Sequence, residues 1–177
     1  MANVLTAVRL LLAVPLAFLI ASASPSAPWL AALAMLVAIA TDLADGPLAR
    51  RTGTATPLGG LFDHATDCLF VVAGMAGGHT RGIPVVLPVL VAAAFLQYTV
   101  DSYWLHRQLR GSSLGRYNGI LYFFPVCGVI LIRLGLAFLQ PVLVAVCWLL
   151  VASTVASMVD RATLPWRARR TGPSSPA

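Results

Sequence analysis

Residues 41–67 read TDLADGPLARRTGTATPLGGLFDHATD and contain four of the six aspartates in the chain. Asp42 and Asp45 are three residues apart, so on a helix their carboxylates project from one face. Asp63 and Asp67 are four residues apart and share a face in the same way. A short segment rich in turn-forming residues separates the two pairs. The stretch therefore predicts two antiparallel helices that bring four carboxylates together near the connecting loop.

The rest of the chain is strongly apolar. Hydrophobic residues make up 59% of the 177 positions and charged residues 10%, whereas a soluble domain has roughly 25% charged residues. A chain of this length and composition cannot hide its apolar surface in one soluble core. We therefore predict an all-α integral membrane protein with six transmembrane helices, each about as long as a bilayer requires. The six segments cover residues 4–20, 29–49, 58–77, 84–105, 117–138 and 142–159.

The basic residues are all arginines, and their distribution predicts the orientation. One side of the predicted membrane domain contains Arg50, Arg51, Arg107, Arg110, Arg116, Arg161, Arg167, Arg169 and Arg170. The other side receives only Arg81. Because basic loops stay in the cytoplasm, we expect both termini and the acidic site to face it, with the chain multi-pass in the cell (inner) membrane. The net charge of +6 then indicates a membrane surface as partner, and no nucleic acid.

We expect one transmembrane domain, residues 1–160, followed by a tail, residues 161–177, that is first basic and then rich in Pro and Ser. The first apolar segment is not expected to be a signal peptide, because Arg9 lies inside it and five more segments follow. The three cysteines lie in apolar runs and form no CxxC pair, so we predict small core residues.

Four carboxylates inside a membrane cannot all stay ionised without positive charge. Two divalent cations would balance them, and carboxylate oxygens favour Mg²⁺ or Mn²⁺, without deciding between the two. Pairs of such ions stabilise the attacking and leaving oxygens in phosphoryl transfer. The acidic stretch therefore indicates a metal-dependent phosphotransfer site.

The spacing of the acidic stretch resembles the signature of the CDP-alcohol phosphatidyltransferase family, D-x2-D-G-x2-A-R-x8-G-x3-D-x3-D. The matching residues are Asp42, Asp45, Gly46, Ala49, Arg50, Gly59, Asp63 and Asp67. The segment from Asn3 to Thr6, followed by Arg9 and Pro15, is similar to the first helix of this family.

The resemblance implies a role for each matching residue. Asp42, Asp45 and Asp63 would hold metal, and Asp67 would hold metal and act as the general base. Residues implied to line the CDP site are Gly46, Ala49, Arg50 and Gly59, with Thr56, Asn3 and Thr6 as further nucleotide contacts.

The implied enzyme is a phosphotransferase for substituted phosphate groups that acts in phospholipid biosynthesis. It would transfer the phosphatidyl group of a CDP-alcohol, above all CDP-diacylglycerol, to an acceptor alcohol and release CMP. The family is typically homodimeric. Cys68 follows Asp67 where subfamilies that use glycerol phosphate or inositol phosphate carry Lys or Arg, so the acceptor stays open.

Two other functions compete with this interpretation. A UbiA-like prenyltransferase needs two distant Asp clusters and more helices, and a divalent-cation transporter needs acidic residues along a pathway through the bundle. Neither pattern is present in this sequence.

Several polar residues outside the acidic stretch have two interpretations each. Asp101 and Arg133 could form a buried ion pair or contact substrate. Arg107, Arg110 and Arg116 could bind an anionic acceptor or lipid headgroup, but a role as orientation signals is favoured. Asn118 could face the acceptor pocket, but a role at the start of a helix is favoured.

Overall fold

The computed structural model of the chain describes residues 2–51, 57–104 and 113–170. These ranges contain α-helices, two short 3₁₀ turns and no β-strand. The helices are α1 (Ala2–Ala21), α2 (Ala27–Arg51), α3 (Pro57–Gly77), α4 (Val86–Trp104), α5 (Ser113–Leu121), α6 (Phe123–Arg133) and α7 (Gln140–Arg170). The 3₁₀ turns are His79–Arg81 and Ala137–Leu139.

The pattern of burial on α1 explains why this helix lies inside the bundle. Thr6, Arg9, Ala13, Leu16 and Ile20 are all buried, and their spacing of three or four residues places them on one face. This face packs against α2 and α3, which make the most extensive contacts with α1. Further contacts run from α3 to α4, from α4 to α7, from α7 to α5 and α6, and from α6 back to α2.

The outer surface of the bundle is apolar. Large hydrophobic side chains that are at least two-thirds exposed include Leu11, Phe18, Trp29, Leu43, Phe138 and Leu149. The segment Ala137–Thr163 is long and apolar enough to cross a membrane. Four shorter apolar stretches lie in the other helices, at Thr6–Ala21, Ala27–Leu43, Val86–Asp101 and Tyr117–Arg133.

The predicted fifth helix is wrong in two respects, and the first is that residues 117–138 do not form a single helix. A turn at Tyr122 separates α5 from α6. Pro125 has no N–H to donate to the carbonyl of Leu121, and its ring crowds that carbonyl, so a break at this point is expected. The helix also ends earlier than predicted, at Arg133, because Gly135 adopts a left-handed φ of 114°.

Helix α7 extends past residue 160, the predicted domain boundary, and ends at Arg170. The Pro/Ser-rich part of the predicted tail, residues 171–177, lies outside the described residues.

Two arginines cap the carboxyl end of α1. Arg133 donates hydrogen bonds to the carbonyl oxygens of Leu19 at 2.6 Å and Ser22 at 2.7 Å. Arg81 donates through Nε to the carbonyl oxygen of Ile20 at 3.0 Å. The last carbonyls of a helix have no partner within it and carry a partial negative charge, so two cations stabilise this end of α1.

Arg133 therefore has a different role from either of those considered for it. It is the last residue of α6 and lies beside Arg81, away from the middle of the helix. Asp101 lies near the carboxyl end of α4, which is the other end of the bundle, so no ion pair joins these two residues.

Helices α1 and α3 approach each other closely at Gly77, so a substitution there tests how the two helices pack. A methyl group there would lie 2.9 Å from the Cα of Ala17 and would crowd its carbonyl oxygen, which is backbone and cannot move aside. We expect Gly77→Ala to destabilise the protein by about 1–3 kcal/mol. Thermal unfolding in detergent measures this loss.

Gly60 on the same helix provides the control, because a methyl group there meets no atom within 4 Å. Gly60→Ala should leave the unfolding temperature unchanged or slightly higher, since alanine favours helix more than glycine. Equal losses in both variants would contradict the described packing of α1 on α3.

Candidate active site

Three of the four predicted carboxylates meet at one end of the bundle. Asp42 lies in the last part of α2, and Asp63 and Asp67 lie one turn apart near the start of α3. One ligand atom from each of the three residues lies within 4.8 Å of the others. The predicted convergence is therefore confirmed for these three residues, which we call the carboxylate cluster. The side chain of Asp45 lies outside the described part of α2.

A buried guanidinium lies against the carboxylate cluster. Nη1 of Arg9 donates to Oδ1 of Asp42 at 2.8 Å and also to Oδ1 of Asp67. Nη2 of Arg9 donates to Oδ1 of Asp63. One side chain of α1 therefore connects carboxylates from both α2 and α3.

The exposure of these groups shows which side of the cluster is accessible. The side chain of Arg9 is 1% exposed, whereas those of Asp67, Asp63 and Asp42 are 25%, 37% and 44% exposed. Arg9 thus closes the cluster from the interior, and a ligand can approach the carboxylates from the opposite side.

Sequence reasoning missed the role of Arg9, although a signal was present. An arginine in the middle of an apolar helix is costly in a membrane and needs an acidic partner. Arg9 also follows Thr6 and precedes Ala13 on the buried face of α1, which directs its side chain inwards. Four of the six aspartates of the chain lie in the stretch from Asp42 to Asp67, so this stretch is the acidic partner to expect for Arg9.

The carboxylate cluster suits a divalent cation. Its ligand atoms are hard carboxylate oxygens, which Mg²⁺ and Mn²⁺ prefer. Three ionised carboxylates carry one negative charge each, and Arg9 supplies one positive charge, so the described cluster retains a net negative charge. A cation at the exposed side would offset that remainder.

A cavity of about 690 Å³ opens beside Asp42 and Asp67. Its wall is mainly apolar and aromatic, and its polar lining residues include His64, Gln97, Tyr98, Tyr122, Ser157 and Arg161. The guanidinium carbon of Arg161 lies 4.9 Å from the centre of the Tyr98 ring, a cation–π contact. The ring of His64 lies 5.5 Å from the same tyrosine ring.

Polar side chains on and next to the cavity wall form hydrogen bonds with one another. Ser153 donates to Oδ1 of Asn118 at 2.6 Å, and the hydroxyl groups of Tyr122 and Thr154 are 2.8 Å apart. Among the described residues, Nδ2 of Asn118 and Oε1 of Gln97 are buried without a hydrogen-bond partner. Asn118 is therefore a buried residue inside α5, and the favoured interpretation as a helix-start residue was wrong.

The remaining predicted site residues are described to different extents. Thr6 is buried on α1, one turn before Arg9, and Gly59 is half-buried, one turn before Asp63. Asn3 lies in α1, and Gly46, Ala49 and Arg50 lie in α2, with their surroundings outside the described part of the chain. Thr56, Arg107 and Arg110 are outside the described residues altogether, and so is the side chain of Arg116.

All three cysteines are free, and their burial agrees in part with the prediction of small core residues. Cys147 is buried. Cys68 and Cys127 are half-buried and line the large cavity, so the residue after Asp67 faces the space beside the carboxylate cluster.

Comparison with known proteins bears on the same residues. The family model for CDP-alcohol phosphatidyltransferase matches residues 1–159, which include the carboxylate cluster and every residue that lines its cavity except Arg161. Searches of curated proteins and of solved structures gave no match. With most of its length covered by the family model, this chain belongs to the CDP-alcohol phosphatidyltransferase family.

Proposed function

We propose that this protein transfers the phosphatidyl group of CDP-diacylglycerol to an acceptor alcohol and releases CMP, in phospholipid biosynthesis. The observation that carries the proposal is the convergence of Asp42, Asp63 and Asp67 beside a large, mainly apolar cavity. Membership of the family supports a CDP-alcohol as donor. The apolar wall and the apolar outer surface of the bundle support a lipid donor that reaches the site from a membrane.

The reaction we propose is a displacement at phosphorus. The acceptor oxygen forms a bond to the phosphorus that carries the alcohol group of the donor, and the bond from that phosphorus to CMP breaks. The proton of the acceptor hydroxyl passes to the carboxylate of Asp67. Two bound divalent ions, Mg²⁺ or Mn²⁺, would neutralise the pyrophosphate and the leaving CMP.

The chain's own residues would hold the reactants in place. Asp42, Asp45, Asp63 and Asp67 would hold the cations. Gly46, Ala49, Arg50, Gly59 and Thr56 would line the CDP site, with Asn3 and Thr6 contributing from α1. The position of Thr6, one turn before Arg9 on α1, supports this arrangement.

We also propose that the chain crosses the membrane six times, with α5 and α6 together forming the fifth crossing. The distribution of arginines supports cytoplasmic termini and a cytoplasmic active site. The homodimer that the family resemblance implies is part of the same proposal.

One incubation tests the reaction directly. Purified protein in detergent receives CDP-diacylglycerol labelled in the diacylglycerol, Mg²⁺, and one acceptor at a time from glycerol phosphate, inositol phosphate, serine and phosphatidylglycerol. We expect CMP release together with one labelled phospholipid for one of these acceptors. Absence of CMP release with every alcohol would contradict the proposal, and CMP release without a labelled phospholipid would show that the donor is hydrolysed and that no phosphatidyl group is transferred.

Substitutions inside and outside the carboxylate cluster test which aspartates the reaction needs. Asp42→Asn and Asp63→Asn each remove one negative charge from the cluster, so we expect CMP release to fall at least a hundredfold at millimolar Mg²⁺. Asp101→Asn is the matched control on α4, outside the cluster, and should retain most of the activity. Full activity in either cluster variant would remove that residue from the site.

One substitution distinguishes a role of Asp67 as general base from a role as metal ligand alone. Asp67→Asn retains the shape of the side chain and one oxygen that can bind metal, but it cannot accept the proton. Donor affinity should therefore stay within a few-fold of wild type, while the single-turnover rate falls by about 10²–10⁴. A parallel loss of affinity and rate would show that Asp67 is only a ligand.

A further inference from the structure

The side chain of Arg9, on α1, contacts every member of the carboxylate cluster. Its two terminal nitrogens donate to Oδ1 of Asp42, Asp63 and Asp67. A cation bound by the cluster would bind the same three carboxylates. The guanidinium and a cation therefore draw on the same negative charge.

We propose that Arg9 is a positioning residue that serves as the internal counter-ion of the carboxylate cluster and competes with the divalent cation for it. Before a cation binds, Arg9 holds the acidic ends of α2 and α3 together. When a cation binds, it must share or replace these contacts. The proposal rests on the divalent-cation site of the proposed function.

The sign of the effect follows from charge. A guanidinium within hydrogen-bond distance of the ligands repels a dication, and the repulsion is strong where little water screens it. Without Arg9, the carboxylates face one another with no positive charge between them, so a cation relieves their repulsion. Both effects predict that removing Arg9 makes cation binding tighter.

Arg9 cannot simply turn away into solvent. Its side chain is 1% exposed, and it lies on the face of α1 that packs between α2 and α3. The far end of α1 is fixed by Arg81 and Arg133 through the carbonyls of residues 19–22. The competition is therefore built into the fold.

Mn²⁺ binding tests the proposal without relying on activity. The full-length protein is purified in detergent, treated with EDTA and dialysed, and Mn²⁺ affinity is measured by calorimetry at one pH. The variant is Arg9→Gln, which keeps a hydrogen-bond donor but removes the charge. Arg81→Gln is the matched control, because it removes an arginine from the other end of the same helix. Thermal unfolding is recorded for each protein with and without Mn²⁺.

We expect Arg9→Gln to bind Mn²⁺ at least tenfold more tightly than wild type. Its unfolding temperature without Mn²⁺ should fall, and Mn²⁺ should raise it by more than in wild type. Arg81→Gln should unfold at lower temperature under both conditions with unchanged Mn²⁺ affinity. Equal or weaker Mn²⁺ binding by Arg9→Gln would overturn the proposal and make Arg9 a support for the cation.

Should Arg9→Gln fail to fold, Arg9→Met removes the charge while a long side chain still fills the interior of the bundle. We then expect Mn²⁺ affinity at least threefold above wild type, and an affinity equal to or below wild type overturns the proposal. Absence of Mn²⁺ binding in every protein, wild type included, would contradict the proposed function itself. Unchanged binding in the Arg9 variants would contradict the role of Arg9 alone.

Discussion

The contact between Arg9 and the carboxylates of Asp42, Asp63 and Asp67 is the interaction on which the arrangement of the first three helices depends. A charge taken out of water costs several kcal/mol unless partners compensate it, as the three carboxylates do here. Because the three acids come from two helices and the base from a third, each helix must keep its register for the charges to meet. Apolar packing between helices is less selective, since many small shifts preserve it.

The other end of α1 has the complementary arrangement. There the partners are backbone carbonyls at the end of the helix, and the cations are Arg81 and Arg133. Gln140 extends this contact to α7 by donating to the carbonyl oxygen of Arg81 at 3.1 Å. Arginine contacts thus hold α1 at two places: Arg9 of α1 donates to the carboxylates of α2 and α3, and the carbonyls at the carboxyl end of α1 accept from Arg81 and Arg133. Between these ends the packing is apolar and close, with Leu16 and Ile20 fully buried.

Much of this fold could be predicted from the sequence, because its strongest patterns are local. The length of the apolar segments predicted where the helices lie. The spacing of Asp63 and Asp67 predicted that both lie on one face of a helix. The break at Tyr122 could also have been predicted, because Pro125 has no N–H to donate to the carbonyl of Leu121 in a regular helix. The early end of α6 depends on the backbone conformation of Gly135, which apolarity alone does not reveal.

The parts of the site that escaped prediction depend on contacts distant in the sequence. Arg9 meets acids 33 to 58 residues away, and no local pattern indicates which partner it takes. Asn118 meets Ser153 across 35 residues, and the segment around it resembled a helix start. The cavity beside Asp67 is formed by side chains of several helices, so its apolar character became visible only in the folded chain.

The central claim is that the carboxylate cluster is the cation site at which a CDP-alcohol reacts. A structure determined with CDP and Mn²⁺, using the anomalous scattering of manganese to locate the ions, tests this claim most directly. We expect manganese bound to the carboxylates of Asp42, Asp63 and Asp67, with the pyrophosphate of CDP on the exposed side of the cluster, away from α1. Manganese and CDP bound elsewhere, with Arg9 still bridging all three carboxylates, would contradict it.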